Sequence, residues 1–182
     1  MFNLWFIILS LLVGYISAHG APVDPSCYEL KTSKRADDCC KSPVELGDDV
    51  TNSCIAKLDP TQTEHDQLIC VGECIAQESG VMKNRTVDKE AAKLLFVNLV
   101  GEDPNFAPLI GGVYDKCYDW VTAIPDHEKA KCSFVPAFLM TCIETELFKI
   151  CPPAVWDVSD GCVELAGKLA KGCPFSAIDN KR

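Results

Sequence analysis

The chain has 182 residues, 17 basic and 26 acidic side chains, a formal charge of −9 and twelve cysteines. That acidity disfavours nucleic acid and anionic lipid surfaces, whose phosphates repel a negative protein. The length suits one domain, and an even cysteine count without any C-x2-C spacing points to six disulfides in an oxidising compartment. Structural zinc and other metal or cofactor sites are not expected, because the histidines lie scattered at 19, 65 and 127.

Residues 1–18 carry no charge and include an apolar run from Leu4 to Val13 before the small residues Ser17 and Ala18. This reads as a secretory leader cleaved near Ala18 or Gly20, since the run is shorter than the roughly 20 residues a membrane span requires. The expected layout is a leader at 1–18, an N-terminal extension at 19–38, a helical core at 39–151 with an insert around Cys132, and a C-terminal extension at 152–182. A soluble, secreted protein follows, with no membrane insertion.

Cys39 and Cys40 are adjacent, and a disulfide between neighbours is strained, so each needs a distant partner. From Val44 to Leu58, the stripe Leu46, Val50, Cys54 and Leu58 predicts a helix with one buried face, stopped by Pro60. Thr61 and Glu64 suggest a capping box for a helix running to Ser79, with Gly80 as its stop. Cys70 and Cys74 sit one turn apart on it, suited to neighbouring elements rather than to each other. Asn84-Arg85-Thr86 is a glycosylation sequon in an expected loop.

Asp88 to Val100 predicts a helix so apolar in its second half that burial on more than one face is expected, ending at Gly101. A helix opened by Pro104 carries Phe106, Ile110, Val113, Cys117, Trp120 and Val121 on one face until Pro125. Between Cys132 and Cys151, Ser133 is the expected N-cap, and Val135, Phe138, Leu139, Cys142, Ile143 and Leu147 share the buried face. Thr141, Glu144, Thr145 and Lys149 face outward, and Pro152-Pro153 ends the helix. A last helix, Asp160 to Lys171, aligns Cys162, Leu165, Leu169 and Cys173. No stretch shows convincing hairpin alternation, so the fold expected is all-α, a compact disulfide-crosslinked bundle of about six to eight short helices.

The cysteine spacing then adds a resemblance. Cys70 and Cys74 with three residues between them, 42 residues to Cys117, and Cys142 with eight residues to Cys151 are similar to the insect odorant-binding protein signature. Cys132 separated from Cys142 by nine residues, Pro152 directly after Cys151, Cys162 beyond, and the Cys39-Cys40 pair resemble its Plus-C subgroup. The resemblance covers Cys39 to Cys173 and implies helices around an apolar cavity. It also implies disulfides joining the first cysteine to the third, the second to the fifth and the fourth to the sixth. Those would be Cys40 (or Cys39) to Cys74, Cys70 to Cys142 and Cys117 to Cys151, leaving Cys27, Cys39, Cys54, Cys132, Cys162 and Cys173 among the remainder. In the smaller six-cysteine members the gap matching Cys117 to Cys142 is far shorter.

No H-E-x-x-H, G-x-S-x-G, P-loop or G-x-G-x-x-G pattern occurs, His65 and His127 sit among polar neighbours, and paired cysteines are not nucleophiles, so an enzyme is not expected. The apolar residues Phe96, Leu99, Val100, Phe106, Ile110, Val113, Phe134, Phe138, Leu139, Phe148 and Trp156 are the expected lining of a pocket for a small hydrophobic ligand. Tyr114 or Tyr118 is the expected orienting hydroxyl. The function expected is a secreted carrier of odorants, semiochemicals or lipid-like molecules in sensory lymph or a haemolymph-like fluid. A sensory receptor is a further partner of such a carrier, and both a monomer and a homodimer stay open. The rival is a disulfide-rich secreted interaction protein, inhibitor- or toxin-like, with a packed core and no cavity.

Overall fold

The computed structural model describes residues 23–44, 47–125 and 130–179. The expected leader, His19, Leu46 and His127 lie outside them. Among the described residues the chain forms a 3-10 turn at Pro25–Tyr28, eight α-helices and one small hairpin. The helices are α1 Ala36–Cys39, α2 Asp48–Ala56, α3 Glu64–Glu78, α4 Lys89–Val100, α5 Ala107–Thr122, α6 Val135–Lys149, α7 Asp160–Ala170 and α8 Phe175–Ile178. The bundle is therefore all-α apart from β1 Met82–Lys83 paired antiparallel with β2 Thr86–Val87.

That hairpin was not expected, because two-residue strands carry no readable alternation. Its turn residues Asn84 and Arg85 both have positive φ (48° and 63°), the mirror-image geometry that tight hairpins favour. Helix starts also differ in detail. Thr63, not Thr61, caps α3, accepting the Asp66 N–H at 3.1 Å, while Thr61 donates twice to the Asp59 carboxylate. α5 begins at Ala107 rather than at Pro104, after Asp103 has accepted the N–H groups of Asn105 and Phe106. The N-cap of α6 is Phe134; Ser133 instead donates its own N–H to the Glu73 carboxylate of α3 at 2.5 Å. Glu73 is buried, and Gln77 supplies its second oxygen with an amide N–H at 3.1 Å. A buried carboxylate satisfied in this way fixes where α6 enters the bundle.

α6 is the central helix, packed against α5 on one side and α3 on the other, with α4 laid on α5. Leu139, Ile143, Leu147 and Phe148 are buried on it, as are Phe106, Ile110, Val113, Tyr114, Cys117 and Val121 on α5. Trp120 is 53 % exposed, against expectation. At about 100° per residue it lies on one flank of the α5 stripe and Tyr114 on the other. α4 covers only the Tyr114 flank, where Phe96 meets that ring at 5.7 Å. α4 itself is buried on one face, through Ala92, Phe96 and Val100, and not on several: Leu94 is 59 % exposed.

All twelve cysteines are paired, and the pairing corrects the expected one. Cys54 joins Cys74, Cys70 joins Cys132, and Cys117 joins Cys142. Cys40 joins Cys151, Cys39 joins Cys162, and Cys27 joins Cys173. The pairs Cys40–Cys74, Cys39–Cys74, Cys70–Cys142 and Cys117–Cys151 do not form. The reason is reach: Cys142 lies seven residues into α6, about 10 Å along its axis. A disulfide needs Cα atoms within about 7 Å, so Cys70 meets Cys132 at the mouth of α6, 5.1 Å away.

The interlocking order survives on different cysteines. Within Cys54, Cys70, Cys74, Cys117, Cys132 and Cys142, first pairs with third, second with fifth and fourth with sixth. The other three bonds tie the N-terminal segment to α7, α8 and the end of α6. Asp157 N–H donating to the Cys39 carbonyl, Lys34 paired with Asp157, and Lys31 N–H on Glu164 fasten the same seam.

Candidate functional site

α3 has two working faces. Cys70 and Cys74, with Glu73 and Gln77 beside them, point toward the disulfide and hydrogen-bond partners just described. Leu68, Gly72, Ile75 and Ser79 recur at helical spacing on the opposite side. That opposite side walls a cavity of about 420 Å3.

The other walls come from four elements. Val81 precedes the hairpin and Val87 lies in its second strand, Ala92, Leu95 and Phe96 come from α4, and Pro136, Ala137, Leu139 and Met140 come from the first half of α6. Phe175 of α8 closes the end, held there because Cys173, two residues earlier, is bonded to Cys27. Ser79, Thr141, Glu144, Ser176 and Asp179 are the polar members of the lining. Leu68 is 62 % exposed, marking where the cavity reaches the surface. An apolar space of this size, with a few polar groups at its rim, suits a small apolar molecule.

Two of the residues expected in a pocket, Phe96 and Leu139, stand on this wall. Phe106, Ile110, Val113, Tyr114, Val100 and Phe134 are buried core, and Leu99 and Phe138 pack half-buried against it; Phe134 and Phe138 meet edge to face at 5.2 Å. Phe148 and Trp156, 5.4 Å apart, border a different groove against α7. The Tyr118 hydroxyl donates to the Val87 carbonyl at 3.4 Å. The Tyr114 hydroxyl is fully buried without a hydrogen-bond partner among the described residues, and burial, reinforced by Tyr118 and nearby carboxylates, pushes its pKa well up. Asn84 and Thr86 are exposed at the hairpin that forms one wall.

The sequence profile of the family described as AgamOBP47-like matches residues 49–167. The chain belongs to this odorant-binding protein family. General odorant-binding protein 67 of Anopheles gambiae is 28 % identical over 189 residues, an alignment spanning 97 % of this chain and 91 % of that protein. Odorant-binding protein 47 of Anopheles gambiae is 25 % identical over 162 residues, spanning 78 % of this chain and 70 % of that protein. The matched stretch contains the whole interlock from Cys54 to Cys142 and every cavity-lining residue except Phe175, Ser176 and Asp179.

The α3 and α8 walls escaped the sequence reading. On α3 the signal was present, as Leu68, Gly72, Ile75 and Ser79 at i, i+4, i+7 and i+11, but the cysteines drew the eye to the opposite face. For α8 no signal was available: four residues show no period, and Phe175 is brought inward by a disulfide rather than by pattern.

Proposed function

We propose that this odorant-binding protein family member is a secreted carrier that takes a small hydrophobic ligand into the cavity between α3, α4 and α6. The observation that carries the proposal is the cavity itself, about 420 Å3 lined mainly by aliphatic and aromatic side chains in a bundle held by six disulfides. A packed-core inhibitor or toxin has no use for such a space, since empty apolar volume costs stability through lost packing contacts. The names of the two Anopheles relatives favour the same reading. Ligand entering here leaves water by covering apolar surface at about 25 cal/mol per Å2, so bulk and shape outweigh specific polar contacts.

Six disulfides and the uncharged apolar leader favour an extracellular fluid as the working compartment. Asn84, at the exposed tip of a tight turn, is the acceptor for a glycan there; enzymatic deglycosylation of the secreted protein should then lower its mass, and an unchanged mass refutes the acceptor. The carrier reading is tested by displacement of a fluorescent apolar probe from the oxidised, folded protein. Saturable one-to-one uptake, displaced by volatile or lipid-like molecules, is the expected result. Folded protein with no saturable uptake overturns it.

A further inference from the structure

Phe175 stands as a partition between two spaces. One is the apolar cavity; the other, about 510 Å3, is bordered by α1, the start of α2 and α6. Met140, Glu144 and Phe175 border both, and Phe175 is the largest of the three. It is 8 % exposed, and its ring meets Phe148 edge to face at 6.0 Å, as Phe148 meets Trp156 at 5.4 Å. Rings in this geometry attract beyond the area they bury. The backbone of α8 is fixed as well. Cys173 is bonded to Cys27, the Asp179 N–H donates to the Phe175 carbonyl at 2.8 Å, and Ala177 and Ile178 are buried. Moving the ring out of the wall would give up the contact with Phe148 and pull against the Cys27–Cys173 bond.

We propose, resting on the carrier reading above, that Phe175 is a specificity-determining residue: it is the stop against which an apolar chain ends, and so sets the ligand length the carrier prefers. At about 30 Å3 per non-hydrogen atom, the share a water molecule takes in the liquid, a cavity of about 420 Å3 seats about 14 such atoms. The cavity opens to water at Leu68, so a longer chain is not rejected; its excess stays in solvent. Each methylene covered raises affinity about fourfold, the equivalent of about 0.8 kcal/mol, and each one left outside raises it not at all. Affinity therefore climbs with chain length and then levels off. Phe175 decides where. Beyond its ring lie the apolar side chains of Val44, Leu147 and Phe148, which a ligand reaches only when the ring is removed.

The test takes the straight-chain alcohols from octanol to hexadecanol, each below its solubility limit, as competitors against 1-aminonaphthalene on oxidised parent and variant proteins matched for helicity. In the parent, affinity should rise about fourfold per methylene and level off between dodecanol and tetradecanol. Phe175→Ala should carry the rise on through hexadecanol. Phe175→Leu, which removes less, should move the levelling point by a smaller step in the same direction. Should Phe175→Ala fail to reach the parent helicity, Phe175→Leu and the parent series still decide. A parent series that climbs without a break through hexadecanol, or a levelling point that stays in place in a folded variant, overturns the stop while leaving the carrier reading intact. Failure of the naphthylamine to bind the folded parent saturably overturns the carrier reading, and the stop with it.

Discussion

Gly72 of α3 and Ala137 of α6 meet at a close helix crossing beside the cavity: a Cβ placed on Gly72 would fall 2.8 Å from the Cβ of Ala137 and 2.9 Å from its Cα and N. Backbone cannot yield as a flexible side-chain end can, so the contact sets the distance between two cavity walls. Gly72→Val gains helix propensity of less than about 1 kcal/mol but forces overpacking that costs about 1–3 kcal/mol. The expected outcome is a lower urea midpoint with an unchanged m-value, together with weaker binding of apolar probes. A variant as stable as the parent would mean that the helices can separate freely.

Removing the Cys27–Cys173 bond should act on stability and on the cavity at once. Its sequence separation of 146 residues makes it the longest closure in the chain, and its loss as Cys27→Ser with Cys173→Ser should cost about 2–4 kcal/mol. Phe175 then loses its anchor, so probe affinity should fall even under conditions where the protein stays folded. The interlock itself is checked by peptide mapping under non-reducing conditions, which should recover Cys54–Cys74, Cys70–Cys132 and Cys117–Cys142.

Tyr114→Phe should leave the ligand-free protein as stable as before, or more stable by up to about 1 kcal/mol, because a buried hydroxyl without a partner contributes a desolvation penalty and no bond. Denaturant unfolding reads this directly. A loss of about 1–3 kcal/mol would show that the hydroxyl is hydrogen-bonded in the folded state. Because Tyr114 is not on the cavity wall, the same variant should leave the affinity for oxygen-bearing ligands unchanged.

How far the fold could be read from the chain depended on whether a residue's environment is set by its own helix. The α5 stripe was legible because Phe106, Ile110, Cys117 and Val121 repeat at helical spacing, and all are buried. Trp120 was misjudged because a stripe does not say which of its flanks a neighbour covers. The interlocking disulfide order came only from the family resemblance, and the pairs it implied were wrong, in part because Cys132 and Cys151 flank Cys142 at nearly equal gaps. Only the path of α6 separates them. Cavity walls were the least legible, because Leu68, Val71 and Ile75 look the same whether they face a space or a packed neighbour.

Acid should weaken the protein only below about pH 4. Asp157 is held down to about 2 by Lys34 and the Ser159 N–H; Lys57 lowers Glu78, and for Glu146 the contacts from Lys116 and Lys149 outweigh an upward push from burial. A carboxylate with a folded pKa below its unfolded value contributes stability that is complete above the unfolded pKa. That stability is lost as the pH falls through the folded pKa. Thermal unfolding should therefore be flat from about pH 7 to 5 and decline from about 4 toward 2. Ligand affinity should change less than about tenfold between pH 7 and 5.5, because His65, the one histidine among the described residues, is exposed on the first turn of α3 and absent from the cavity wall.

If ligand occupies the space walled by α3, α4 and α6, filling that space must weaken binding. Ala76 is buried on that wall, and Ala76→Trp places an indole in the cavity. The direct measurement is titration of an apolar fluorophore into oxidised wild-type and Ala76→Trp proteins matched for helicity by circular dichroism. Saturable binding to the wild type, weakened at least about tenfold in the filled variant, is the predicted result. Equal binding by the two proteins, or a folded wild type that binds no fluorophore, would contradict it.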